Sequence, residues 1–189
     1  MKKSLPAVLA VILLLATTNF SGCGLFSAEK STEKPAAAAA ATNYTALPEN
    51  VVMKDLQGND VRLEQYKGKV VVVNFWATYC APCLIEMPWM IGFQEKYSSR
   101  GFTLVGISMD DEGKSVVEPW IKKQAFDVDG KKMQVNYPIL IGSDEIAEKF
   151  GGLIGLPTTL IVNRDGKIVK RIIGLVSHDV IEKQIEALL

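Results

Sequence analysis

Histidine and cysteine are the scarce residues of this chain: one histidine, His178, and three cysteines in 189 residues. A closed zinc site takes four ligands, and no second cysteine pair accompanies Cys80 and Cys83, so a structural zinc centre is set aside. No metal and no cofactor is assigned. An excess of positive charge is also missing. Lysine plus arginine and aspartate plus glutamate each number 21, with no basic cluster beyond Lys2-Lys3, so there is no footprint for nucleic acid. Lacking too is an apolar run long enough to span a bilayer comfortably, since the stretch Leu5 to Ala16 is too short.

That short run has a different reading. Met1-Lys2-Lys3 is a positive start, Leu5 to Ala16 an apolar centre, and Asn19-Phe20-Ser21-Gly22-Cys23 follows. Small residues before a cysteine resemble the bacterial lipoprotein cleavage box, in which that cysteine is lipidated and becomes the first mature residue; Phe20 departs from the usual aliphatic. An ordinary cleaved signal and an uncleaved anchor are the alternatives, and all three put the folded part outside the cytoplasm. Residues 1–22 are read as a lipoprotein-type signal peptide. Residues 23–46, with the run Ala36 to Ala41, are a flexible linker after lipidated Cys23. Residues 47–189 are the folded domain, long enough for a sizeable core. Acyl chains on Cys23 hold such a domain at a membrane, at about 0.8 kcal/mol per buried methylene.

The chemistry is concentrated in Val70 to Pro88, VVVVNFWATYCAPCLIEMP. Val70 to Val73 is a continuous β-branched run, expected as a central strand covered on both faces. Cys80-Ala81-Pro82-Cys83 follows a short turn, and a helix is expected from the cysteines to about Tyr97. Pro82 falls in its first turn, where a missing N–H costs nothing. A thiol at a helix start meets unpaired N–H groups and the positive end of the peptide dipoles, which favour thiolate. Half a zinc site and a plain structural disulfide are the alternatives; strand, CxxC and helix in that order fit a redox pair of thioredoxin-like type.

The other elements follow in order. Val51 to Leu56 and Val61 to Leu63 read as a hairpin ahead of the main sheet. Phe102 to Met109 is a second buried strand, parallel to the first across the helix, and Val116 to Gln124 a helix carrying Trp120. Phe126 to Gly130 alternates acids but lacks the closing glutamate of a calcium loop, and is read as a surface turn. Val135 to Ile141 is a short strand that Pro138 demotes to an edge or confines to its start. Asp144 is expected to cap a helix over Glu145 to Phe150 that ends at Gly151-Gly152. Gly155-Leu156-Pro157-Thr158-Thr159 precedes the strand Leu160 to Asn163, and the turn at Arg164-Asp165-Gly166 leads to a last strand, Ile168 to Gly174. Ser177 caps a final helix to Leu189. His178, in its first turn, is read as a surface residue rather than a catalyst.

Three features together carry a family resemblance: Trp76-Ala77-Thr78-Tyr79-Cys80-Ala81-Pro82-Cys83, then Glu86 and Pro88, then Gly155-Leu156-Pro157-Thr158-Thr159. From about Leu47 to Leu189 the chain resembles extracytoplasmic thioredoxin-like proteins of the TlpA and ResA kind. The resemblance implies an α/β, thioredoxin-like fold: a central mixed sheet flanked by helices, an N-terminal β-hairpin, and an insertion (Val116 to Ile141) after the second core strand. It implies thiol–disulfide exchange through a redox-active Cys80–Cys83 disulfide, with Cys80 the exposed nucleophile and Cys83 resolving. At pH 7 a thiol of pKa about 8.5 is only about 3% ionised, whereas lowering it to about 7 makes that half. Ordinary thioredoxins carry a buried aspartate where this chain has Asn74, which cannot ionise. The resemblance instead gives proton handling to Glu86, three residues after Cys83 on the same helical face; a glutamate favoured by the helix dipole is the plainer alternative. It also implies a cis bond at Leu156-Pro157 and substrate contacts at Trp76, Tyr79, Leu156 and Pro157, with the Leu156 backbone pairing with an extended segment. Tyr79 stands where the family has Trp.

The expected function is thus a membrane-tethered disulfide reductase, an enzyme. Ala81 adds neither charge nor donor between the cysteines, so the thiolate is mildly stabilised and the couple reducing. Its substrate would be a disulfide-bearing extracytoplasmic protein, apocytochrome c being a frequent client in the family. A membrane electron-donor thiol protein would re-reduce it. An oxidase or isomerase of the same fold, or a binding module without turnover, are the competing readings.

Overall fold

The computed structural model describes residues 45–189; the expectations for the signal peptide, Cys23 and most of the linker lie outside these residues. Thr45–Ala46 forms a two-residue strand, β1. Met53–Asp55 (β2) and Asp60–Val61 (β3) form the expected hairpin. Then come Val70–Trp76 (β4), the helix Ala81–Tyr97 (α1) and Phe102–Ser108 (β5). The insertion holds Lys114–Lys123 (α2), Phe126–Val128 (β6), Lys131–Met133 (β7) and Ile139–Ile141 (β8). Asp144–Lys149 (α3), Thr158–Val162 (β9), Lys167–Ile173 (β10) and His178–Glu186 (α4) complete the chain.

Eight strands form one mixed sheet in the order β1-β10-β9-β4-β5-β8-β2-β3. β4 runs parallel to β5, and β5 to β8; the remaining neighbours are antiparallel. Every residue of β4 and β5 is buried, as a continuous apolar strand between two helical layers requires. Alternation along β4 sorts its side chains. Val70, Val72 and Trp76 face α1, α2 and α4, whereas Val71, Val73 and Phe75 face α3 and the N-terminal segment. Asn74 shares the parity of Val72 and Trp76 and so points beneath α1.

Several expectations are corrected. The sheet begins at Thr45 rather than after residue 46: β1 pairs with Ile168 and Lys167 through its backbone while its side chains stay exposed, so no hydrophobic pattern announced it. The hairpin β2–β3 stands where expected, and the addition is that β2 pairs with β8 and so extends the main sheet. Nor is β8 an edge. It lies between β5 and β2, and the other reading of Pro138 holds: the proline stands at the strand's start, just before Ile139, and supplies only a carbonyl, to Gly106 N–H at 2.9 Å. Phe126 to Gly130 is half of a second sheet, the hairpin β6–β7, turned by Asp129 (φ 50°) and Gly130 (φ 79°). Asp-Gly is the dipeptide such a two-residue turn favours. Finally, Ser143 and not Asp144 caps α3, its side chain accepting from Ile146 N–H at 3.3 Å.

Candidate active site

The C-terminal end of β4 delivers the chain directly into the cysteine pair. Met109 N–H donates to the Trp76 carbonyl (2.8 Å) and Cys80 N–H to the Ala77 carbonyl (3.1 Å), closing the turn. Cys80 is the N-cap of α1 and Pro82 lies in the first turn, as the sequence predicts. Cys80 and Cys83 are joined as a disulfide, S–S 2.07 Å, and Cys83 N–H points at Cys80 Sγ from 3.3 Å. That N–H is one of the unpaired donors of the helix start, and it is placed to stabilise a thiolate on the same sulfur. Cys80 keeps 8% of its surface exposed and Cys83 none. The order is the expected one, although Cys80 in the disulfide is less open than an exposed nucleophile would suggest.

Beneath the pair, Glu86 is brought back toward β4 by the turn of α1 and is only 1% exposed. Asn74 Nδ2 donates to Glu86 Oε1 at 2.6 Å and to Thr159 Oγ1 at 3.1 Å, so both amide hydrogens are used. Glu86 Oε2 has no hydrogen-bond partner among the described residues. Burial dominates this carboxyl: loss of hydration raises its pKa from 4.5 to about 7, against the lowering donated by Asn74. An acid poised near neutrality one helical turn from Cys83 can take up and return a proton. The sequence pointed to Glu86; it missed that Asn74 and Thr159 hold it, because that contact joins β4, α1 and β9.

Leu156-Pro157 is cis, as expected. The register Phe75↔Thr158 between β4 and β9 brings this bond level with the end of β4 that feeds the cysteines. Gly174 N–H donates to the Pro157 carbonyl and Thr158 Oγ1 to the Gly155 carbonyl, both at 2.7 Å. The Leu156 N–H and carbonyl bond to nothing among the described residues, which leaves them available to an extended segment. Tyr79 is 74% exposed beside Cys80 and is free to meet a partner. Trp76 is not: it has no exposed surface, and Trp120 of the insertion lies on it with ring centroids 5.4 Å apart. The expected substrate contact at Trp76 is therefore corrected to packing beneath the disulfide. His178 sits at the start of α4 against Phe93, centroids 4.7 Å apart. Phe93 lies ten residues, about 15 Å of helix, beyond Cys83, which places His178 outside the site.

Comparison with known proteins bears on the family and the fold. Residues 41–171 match the model of the AhpC/TSA family. The chain is 30% identical over 188 residues to the thiol-disulfide oxidoreductase ResA of Geobacillus thermodenitrificans, covering 100% of this chain and 99% of that one. Among solved structures, a thioredoxin-family thiol:disulfide interchange protein of Chlorobium tepidum aligns with TM-score 0.65 and 28% identity, over 79% of this chain and 99% of that one. StoA of Bacillus subtilis aligns with TM-score 0.57 and 27% identity, over 74% and 98%. The fold is thus thioredoxin-like.

Proposed function

Because the chain belongs to the AhpC/TSA family and is a thiol-disulfide oxidoreductase related to ResA, we propose that it is a disulfide reductase of extracytoplasmic proteins, tethered to a membrane through lipidated Cys23. The observation that carries the direction is the surroundings of the pair. Cys80 receives one helix-start N–H, and neither Ala81 nor Pro82 adds a charge. A mildly stabilised thiolate means a stable disulfide and a reducing dithiol.

In the reduced enzyme the Cys80 thiolate attacks one sulfur of the partner's disulfide. A Cys80–partner disulfide forms and the partner's other sulfur leaves as thiolate. Cys83 passes its proton to Glu86 and its sulfur attacks Cys80 Sγ. The Cys80–Cys83 bond forms, the second partner thiolate departs and takes up a proton, and two electrons have moved from enzyme to partner. Leu156 pairs with the partner's backbone alongside Pro157, and Tyr79 bears on its side chains. A membrane thiol protein returns the electrons; without one, a reductant in an oxidising compartment turns over once. No helix of the described residues is long and apolar enough to cross a membrane. Apocytochrome c, with paired cysteines that must be reduced before haem attachment, is a fitting client.

The test is a Cys83→Ala trap expressed with its own leader in cells. A mixed disulfide through Cys80 with an extracytoplasmic protein is expected, and its identification names the substrate. A reduction potential well above about −200 mV would turn the reading to an oxidase. Full cellular function in Cys80→Ser would turn it to a binding module.

A further inference from the structure

Asp110, just past the C-terminal end of β5, is 3% exposed, and its contacts converge on the turn that presents Cys80. Thr78 N–H donates to both carboxylate oxygens, at 3.2 and 3.1 Å. The Thr78 hydroxyl donates to Oδ1, and the Ser108 hydroxyl to Oδ2 at 2.7 Å. The Asp110 N–H returns to Ser108 Oγ at 3.3 Å. Among the described residues no lysine, arginine or histidine pairs with this carboxylate. A buried carboxylate with neutral donors alone keeps most of its negative field. Thr78 is two residues from Cys80, at most about 7 Å along the chain.

We propose that Asp110 is a positioning residue for Cys80 in two senses: it clamps the Thr78 turn that aims the sulfur, and its fixed negative charge opposes ionisation of that sulfur. The inference rests on reading Cys80 as the nucleophile. Two influences then meet at one atom. The start of α1 favours the thiolate and Asp110 disfavours it, so the balance leaves the thiol less ionised and the disulfide harder to reduce than the helix alone would make it. The other acids nearby act differently. Glu86 lies under Cys83 and carries a proton for part of the cycle, whereas Asp111 and Glu112 are exposed on the same loop and are screened by water and salt.

Asp110→Asn separates charge from shape. The amide oxygen can still accept from Thr78 and the amide nitrogen can donate to Ser108 Oγ, so the clamp survives without its charge. In the reduced full-length chain the Cys80 pKa, read from the pH dependence of alkylation, is expected to fall by about half to one unit. Equilibration with glutathione should shift toward the dithiol by about two- to fivefold, or about 10–20 mV less negative. Asp110→Ser, which retains an acceptor, should move both quantities the same way if the amide variant does not fold. Asp111→Asn should move neither. Thr78→Val, which loosens the clamp but keeps the charge, should leave the thiol pKa in place. An unchanged pKa and potential in a folded, uncharged Asp110 variant, or a lowered pKa in Thr78→Val, overturns the proposal. Neither result bears on whether Cys80 is the nucleophile, which Cys80→Ser tests on its own.

Discussion

Glu86→Gln in the oxidised protein tests the buried acid through stability alone, without any substrate. The Glu86 carboxyl has its pKa raised by burial from 4.5 to about 7. Between those values the folded state binds more proton than the unfolded state, so stability is fully present below about 4.5 and drains away as pH rises, levelling off above about 7. Each unit is worth about 1.4 kcal/mol, and the gap amounts to about 3 kcal/mol. Glutamine imitates the protonated acid. It keeps the oxygen that Asn74 meets at 2.6 Å and never ionises. At pH 4 the two proteins should unfold at similar temperatures; at pH 8 the variant should be the more stable by up to about 3 kcal/mol, or about 6–12 °C for a domain of this size. The assay is thermal or urea unfolding across pH 4 to 9 with the disulfide intact. Parallel curves for wild type and variant over pH 4.5 to 8 would show that the carboxyl ionises as freely as in water, and the proton-handling role would go with it.

Asn74→Ala removes the one side-chain donor to Glu86 among the described residues, leaving burial unopposed, so the pKa should rise further. The midpoint of the pH profile for resolving a mixed disulfide should then move alkaline by about one unit. A profile that stays put in a folded variant would assign Asn74 to packing. Gly106→Ala should destabilise the protein by about 1–3 kcal/mol through overpacking, measured by urea unfolding. An added methyl there would lie 2.7 Å from Ile139 Cδ1, 3.1 Å from Trp76 Nε1 and 3.2 Å from the Tyr137 ring, and an unchanged midpoint would mean that these side chains yield freely.

How far the sequence could be read depended on whether a feature was local. Val70 to Val73, the cysteines at a helix start and Pro82 in the first turn were legible because each is written in consecutive residues, whereas the cis bond at Leu156-Pro157 followed only from the family resemblance, an X–Pro bond being trans by default. β1 was not, since two exposed residues contribute only backbone to the sheet. The turn of the β6–β7 hairpin is written locally, in Asp129-Gly130, but its strands of three residues each are too short to stand out from a surface turn. Pro138 spoke against an internal strand by the usual rule. The rule was met by its other allowance, a proline at the strand's start, since Pro138 precedes β8 and contributes only its carbonyl. Trp76 beside a CxxC motif suggested contact with substrate, but it ends a strand buried along its whole length and has Trp120 of the insertion lying on it, so it has no surface to offer.

The contacts that escaped the sequence, those of Asn74, Thr159 and Asp110, share a property: each acts on the disulfide through another element. Their arrangement also explains why an amide can stand in the strand where related folds carry an acid. Cys83 and Glu86 are three residues apart on α1, so thiol and proton acceptor are parts of one rigid turn and keep their relation if the helix start shifts between redox states. A carboxylate on β4 would have to preserve that relation across a packing interface. Placing the acid on the helix leaves the strand a smaller task, to orient it and to moderate the cost of its burial. An amide with both hydrogens engaged, one on Glu86 and one on Thr159, performs that task without adding a second buried charge beside the first, which would push the two carboxyl pKa values apart and spoil the match to neutral pH.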